Sequence, residues 1–124
     1  MKMAVLRVFV SLAGVAGLLV GVPSVAHAAT GYNRCPPARM CLFSGLNGTG
    51  GIAYFQCCSA DLRQQGMDNV SKSEWNRTGQ VFSLWTGYSY GGSCSASYPN
   101  PQGGNLASQW RNVFSSLRVE SPVC

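Results

Sequence analysis

The chain is 124 residues long, carries a net charge of +5 and contains six cysteines, 15 glycines and a single histidine. That length suits one domain rather than two, and the cations are scattered singly, which excludes a basic patch of the nucleic-acid-binding kind. The one histidine, His27, lies in an amino-terminal segment expected to be removed, so no imidazole remains for a Ser-His-Asp triad, a Cys-His pair or a histidine-bound metal.

At the amino end Lys2 and Arg7 flank a basic start, residues 8–22 are almost wholly apolar, and Ala26-His27-Ala28 places small side chains where a signal peptidase reads. The apolar run of about 15 residues falls short of the about 20 needed to span a bilayer. Residues 1–28 are therefore expected to be a signal peptide and residues 29–124 an exported domain with no membrane association after cleavage. The exported part keeps seven cations against four carboxylates, a net of +3. It also holds all the cysteines, Cys35, Cys41, Cys57, Cys58, Cys94 and Cys124. An even count in an exported chain reads as up to three disulfides, each adding on the order of 3 kcal/mol by restricting the unfolded ensemble. The spacing leaves the pairing open, except that adjacent Cys57 and Cys58 are not expected to bond to each other, because a vicinal bridge strains the backbone between them.

Residues 40–44, 52–56, 81–86 and 116–119 are short, rich in β-branched and aromatic side chains, and separated by Gly, Asn, Ser and Pro clusters, which predicts strands and turns. No window holds a helical period beyond one or two turns. Residues 62–67 and 106–110 read as two such short turns, residues 77–80 as a linker, and residues 95–104, with Pro99 and Pro101, as an exposed loop.

These elements repeat. Phe43, six residues and Gly50 are answered 42 positions later by Trp85, six residues and Gly92; Leu42 and Gly45 are answered by Leu84 and Gly87. Downstream, Asp61-Leu62 matches Asn105-Leu106, Met67 matches Trp110, and residues 68–73 match 111–116. The copies run over about residues 40–79 and 80–122. A unit of roughly 40 residues rarely buries its own apolar face, so the two are expected to share one core. In a folded-over hairpin the glycine takes a positive φ that a side chain would obstruct, while the aromatic packs across the turn.

The spacing of Phe43 and Gly50, and of Trp85 and Gly92, each followed by an acidic or amide pair and serines, resembles the Greek-key motif of βγ-crystallins over about residues 40–120. Cys35-Pro36, Cys41-Leu42-Phe43, Trp75-Asn76-Arg77-Thr78-Gly79 and Ser115-Ser116-Leu117-Arg118-Val119 resemble the framework of the actinomycete secreted peptidase-inhibitor family, whose type member inhibits metalloproteinases. The resemblance implies an all-β, disulfide-stabilised, crystallin-like sandwich of two Greek-key motifs. It also implies a secreted bacterial inhibitor, not an enzyme, that blocks an extracellular metallo or serine protease through a rigid surface loop. A monomer without cofactor is expected. No motif marks the loop; the stretches between Cys94 and Gly104 and between Cys57 and Gly66 are the places to look.

Crystallin motifs often carry an Asn/Asp pair, two free positions and Ser/Thr-Ser, oxygens that suit calcium. Here Asp68, Asn69 and Ser73 form one degenerate copy and Asn112 and Ser115 the other, with Lys72 in place of a hydroxyl and Arg111 in place of the first acid or amide. A cation about 4 Å from a divalent ion is repelled by about 8 kcal/mol at an effective dielectric of 20. These residues are therefore expected to serve turns, with calcium disfavoured. Asp61 and Asp68 are expected to cap turns, and Glu74 and Glu120 to be solvated strand residues. Trp85 and Trp110 are assigned to the hairpin and its turn. Exposed Tyr88, Tyr90 and Tyr98 support an alternative, an extracellular carbohydrate or cell-wall binding module, toxin-like or stress-related, with residual calcium binding.

Overall fold

The computed structural model describes residues 30–119 and Cys124, so the expected signal peptide and Glu120 lie outside the described residues. Seven short strands form: β1 (Met40–Phe43), β2 (Ile52–Phe55), β3 (Ser73–Asn76), β4 (Phe82–Trp85), β5 (Cys94–Ser97), β6 (Gly104–Asn105) and β7 (Ser116–Val119). They make two antiparallel sheets, ordered β2-β1-β3-β6 and β5-β4-β7. Ser59 pairs with Leu117 of β7 and takes the fourth place in the second sheet. Each copy thus sends its third strand across to the other sheet: residue 59 joins β7, and β6 joins β3. This is the duplicated Greek key that the repeat predicts.

Strands β1, β2, β4 and β7 fall where the sequence places them, within two residues. Strands β3 and β5 do not. Residues 94–97 pair fully with β4, so the predicted loop over 95–104 shrinks to residues 98–103. Ser73-Glu74-Trp75-Asn76 and Cys94-Ser95-Ala96-Ser97 contain no β-branched residue; cross-strand neighbours rather than intrinsic preference make them strands. The predicted short turns are 3-10 turns, Leu62–Gln65 and Ser108–Trp110.

Alternation along the strands divides the apolar side chains between two places. Met40, Leu42, Ala53, Phe55, Phe82, Leu84 and Leu117 fill the space between the sheets with Leu62, Met67, Leu106 and Phe114, and Trp110 stacks on Phe114 at 5.6 Å. Cys41 and Phe43 face outward instead. They are covered by the segment ahead of β1, whose Tyr32 ring meets Phe43 edge-on at 5.4 Å and whose Cys35 bonds to Cys41. Arg34 fixes that cover by donating to the Gly48 carbonyl at 2.7 Å.

The remaining disulfides are Cys94–Cys124 and Cys57–Cys58. The bond between neighbours corrects the expectation that these two would stay apart. Every other cysteine is paired elsewhere, and both lie exposed in the turn after β2, free of any strand ladder. On loop entropy Cys94–Cys124, 30 residues apart, contributes about 4 kcal/mol and Cys35–Cys41, six apart, about 2 kcal/mol. The adjacent pair closes almost no chain and restrains only its own turn.

Hydrogen bonds carry the repeat into three dimensions. In the first hairpin Ser44 N donates to Gly51 O and Gly45 N to Thr49 O; in the second Thr86 N donates to Ser93 O and Gly87 N to Gly91 O, all at 2.9 Å. Gly50 and Gly92 have φ of +76° and +82°, and a Cβ there would collide with Ser44 Oγ or Thr86 Oγ1. Gly66 also has positive φ, +68°, but faces open space. Gly50→Ala and Gly92→Ala are therefore expected to lower stability by about 2–4 kcal/mol and Gly66→Ala by only about 1 kcal/mol. Urea unfolding of the three variants checks the ranking.

Candidate functional site: the loop between β5 and β6

The crossing from the second sheet to the first is the exposed segment Tyr98-Pro99-Asn100-Pro101-Gln102-Gly103. Proline fixes its own φ and drives the residue before it toward extended backbone. Tyr98 and Asn100 each precede a proline, so local sequence alone stretches this segment. Tertiary bonds then hold it. Trp75 Nε1 donates to Asn100 O at 3.0 Å, Asn100 N to Asn76 O at 3.1 Å, and Gln102 N to Asn100 Oδ1 at 3.1 Å. At one end Asn76 Nδ2 donates to Ser97 O at 2.9 Å. At the other, Asn47 and Asn105 exchange hydrogen bonds of 2.7 and 3.1 Å, and Gly103 lies so close to the Tyr32 ring that any side chain would collide. Tyr98 is 61% exposed, the most open of the large apolar side chains among the described residues.

Beneath this loop is a cavity of about 450 Å³, bounded by β3, β5, β6 and the loop itself. Glu74 of β3 lines it. The register sets Glu74 beside Leu42 on one side and Gly104 on the other, on the face that carries the core. This corrects the expectation of a solvated strand residue: Oε1 is shut off from solvent and has no hydrogen-bond partner. Burial pushes the carboxyl above the usual carboxylate range, and the neighbouring Ser97 hydroxyl offsets part of that rise. The repeat makes the position stand out. Glu74 sits opposite Leu42 as Leu117 sits opposite Leu84, and Leu117 is fully buried in the core. Sequence reasoning missed the site, although the 68–73 and 111–116 match, extended by one residue, sets Glu74 against Leu117.

The other candidate stretch, 57–66, has a different character. Ser59 is tied to Leu117 by two backbone bonds, Leu62 is buried, and Asp61 caps the 3-10 turn through Arg63 N at 3.0 Å, as expected. Arg63 pairs with Asp61 at 2.9 Å and covers the Tyr88 ring at 4.4 Å. Tyr88 donates to Asp68 Oδ2 at 2.8 Å, and Arg118 covers Tyr90 at 4.6 Å. Two of the three tyrosines thus present a ring face already taken by a guanidinium. Tyr98 lies past the opposite end of β5 from both, so the three do not form one platform.

Within the degenerate calcium motifs Ser73, Ser115 and Ser116 are engaged. Ser73 Oγ donates to Gly45 O at 2.6 Å and accepts from Gly48 N at 2.9 Å; Ser116 Oγ does the same with Gly87 O and Tyr90 N at 2.6 and 3.0 Å. Asn69 and Asn112 have φ of +57° and +63° and donate their backbone N–H to Phe114 O and Ser71 O, both at 2.8 Å. Ser115 Oγ donates to Asn69 Oδ1 at 3.4 Å. Lys72 Nζ rests on Ser44 O at 3.1 Å and Arg111 Nε on Leu106 O at 2.8 Å. Asp68 Oδ1 and Ser71 Oγ are buried without partners.

Residues 28–97 match the model of peptidase inhibitor family I36, and the chain belongs to that family. It is accordingly a peptidase inhibitor, with a peptidase as its partner, and not an enzyme. No curated protein matches the chain. Among solved structures, one described under the evolution of the eye lens βγ-crystallin domain fold is 17% identical at a TM-score of 0.62, covering 69% of this chain and 89% of the other. A βγ-crystallin from Ciona intestinalis is 16% identical at 0.59, covering 66% and 99%. A βγ-crystallin domain from Flavobacterium johnsoniae is 20% identical at 0.56, covering 68% and 97%. These likenesses establish the βγ-crystallin fold. Among the described residues no helix is long and apolar enough to cross a membrane.

The buried carboxyl sets a pH dependence. A folded-state pKa above the unfolded value means that the folded protein keeps its proton where the unfolded chain has lost it. The stability of this site is therefore greatest below the ordinary glutamate range and declines as pH rises through the elevated value. Glu74→Gln, and Glu74→Leu, which copies Leu117, are expected to melt above the parent at about pH 7, with the advantage shrinking toward about pH 4. Thermal unfolding at the two pH values measures it.

Proposed function

We propose that this member of peptidase inhibitor family I36 is exported and occludes the cleft of an extracellular peptidase with residues 98–103, Tyr98 supplying the anchoring side chain. Peptidase clefts take extended backbone, and a loop already extended and pinned loses little conformational entropy on binding. The observation that carries this reading is the bond from Trp75 to Asn100 O together with Asn100 N on Asn76, which fix the middle of the loop to β3. The 57–66 stretch contains a 3-10 turn and offers no comparable extended run. The family match ends at Ser97, so the loop itself is assigned from geometry and not from membership.

We also propose that residues 68–73 and 111–116 act as turn clamps and do not hold calcium. Calcium takes about six to eight oxygens. In the first motif Ser73 is spent on the hairpin and the Lys72 ammonium lies on a carbonyl; the second has no carboxylate and brings the Arg111 guanidinium. The unpartnered Asp68 Oδ1 and Ser71 Oγ supply two oxygens at most.

A thermolysin-like and a subtilisin-like peptidase titrated with the protein are expected to include at least one that loses activity at micromolar inhibitor. Tyr98→Ala is expected to weaken that inhibition about tenfold or more, a loss of about 1.4 kcal/mol, while Arg63→Ala leaves it unchanged. Full activity of both peptidases, or equal inhibition by Tyr98→Ala, overturns the assignment of the loop. Calorimetry with millimolar calcium is expected to give no heat; a saturable heat lost in Asp68→Asn would restore a metal site.

A further inference from the structure

We propose that the cavity beneath loop 98–103 is a binding site for a small organic cation, an alkylammonium or guanidinium group on a short chain. The volume of about 450 Å³ is within the range of small-ligand pockets. Glu74 is the reason for the charge assignment. Its Oε1 is buried without a partner, and a carboxylate taken from water costs several kcal/mol unless a cation or strong donors meet it. In the other copy the same place holds Leu117, which needs no partner. A carboxyl in a core position, with a cavity over it, is a site built to receive a donor.

The surroundings supply no internal counterion. Among the residues lining the cavity, Glu74 and the Tyr98 phenol are the only ionisable groups. On either side of β3, Lys72 rests on Ser44 O, and Arg77 is spread over the Trp75 ring at 4.5 Å while donating to Cys35 O at 2.7 Å. The facing β1 brings Met40 and Leu42, β5 brings Ser97 and Ala96, and β6 and the loop bring no charge. An anion is therefore repelled, and an apolar molecule leaves Oε1 unpaired. A cation meets the charge of the Glu74 carboxyl that lines the cavity and has the Tyr98 ring at the wall for a cation–π contact. This inference does not rest on the loop entering a peptidase.

The test is an NMR titration of the whole protein with agmatine, against n-butanol and butyrate as neutral and anionic counterparts. Agmatine is expected to shift the amides of residues 96–105 saturably, to bind more weakly as pH falls, and to lower the titration midpoint of the Glu74 carboxyl carbon. Butyrate is expected to do none of this. Glu74→Gln and Glu74→Leu are expected to lose agmatine binding by about tenfold or more; if neither folds, the midpoint of the parent's carboxyl decides alone. No saturable shift up to about 10 mM agmatine, an unmoved carboxyl midpoint, or equal binding by butyrate or by the variants overturns the proposal. Agmatine binding with no peptidase inhibited would leave this site standing and remove only the proposed role of the loop.

Discussion

Two buried hydroxyls hold the architecture together. Ser73 and Ser116 each begin the last strand of a copy, and each reaches into the preceding folded hairpin to donate to one backbone carbonyl and accept from one backbone N–H. Both are fully buried, so each must find partners within the protein. The hairpins can supply them only in their folded-over form, with Gly50 or Gly92 at positive φ and Asn47-Gly48 or Ser89-Tyr90 in left-handed backbone. Glycine spacing, hairpin shape and strand position are thus one constraint. It also accounts for the serine at each of these places: its oxygen is spent on the chain.

Exchange of the third strands then decides where the chain arches off the sandwich. In the first copy only three residues separate β2 from Ser59 on the opposite sheet, and Leu62 closes the gap behind them. In the second copy six residues separate β5 from β6. The longer crossing arches off the sandwich, which exposes Tyr98, and the space it spans is the cavity over Glu74. Loop and cavity therefore have one origin, a break in an otherwise close internal symmetry. The first copy devotes its crossing to the core; the second keeps it free.

The symmetric part of this molecule was legible in its sequence, because it is dictated by residues with narrow tolerances. The Phe43 to Gly50 and Trp85 to Gly92 spacings gave the two keys, the cap at Asp61 was read correctly, and the linker at 77–80 falls between β3 and β4. Strands β3 and β5 were missed because small and polar side chains form them, and cross-strand pairing overrides their weak preference. The Cys57–Cys58 bond was excluded on the strain of a vicinal bridge, but the other four cysteines pair among themselves and leave these two to each other. Glu74 escaped for another reason: a glutamate in a polar strand looks solvated until the register sets it opposite Leu42, facing inward.

The asymmetry has a consequence for how such a fold acquires a partner. Stability resides in the hairpins, the serine clamps and the shared core, and most of these lie within residues 28–97 or are their copies in the second half. The loop over 98–103 borrows rigidity from that framework through Trp75, Asn76 and Asn105, all anchored in β3 or β6. Its exposed side chains, Tyr98 above all, contribute little to the core. Gly103 is pressed against Tyr32, and Asn100 is held by hydrogen bonds through its backbone and its Oδ1. A scaffold that fixes the path of a loop through its backbone, while most of the loop's side chains stay outside the core, separates what holds the fold from what the loop presents.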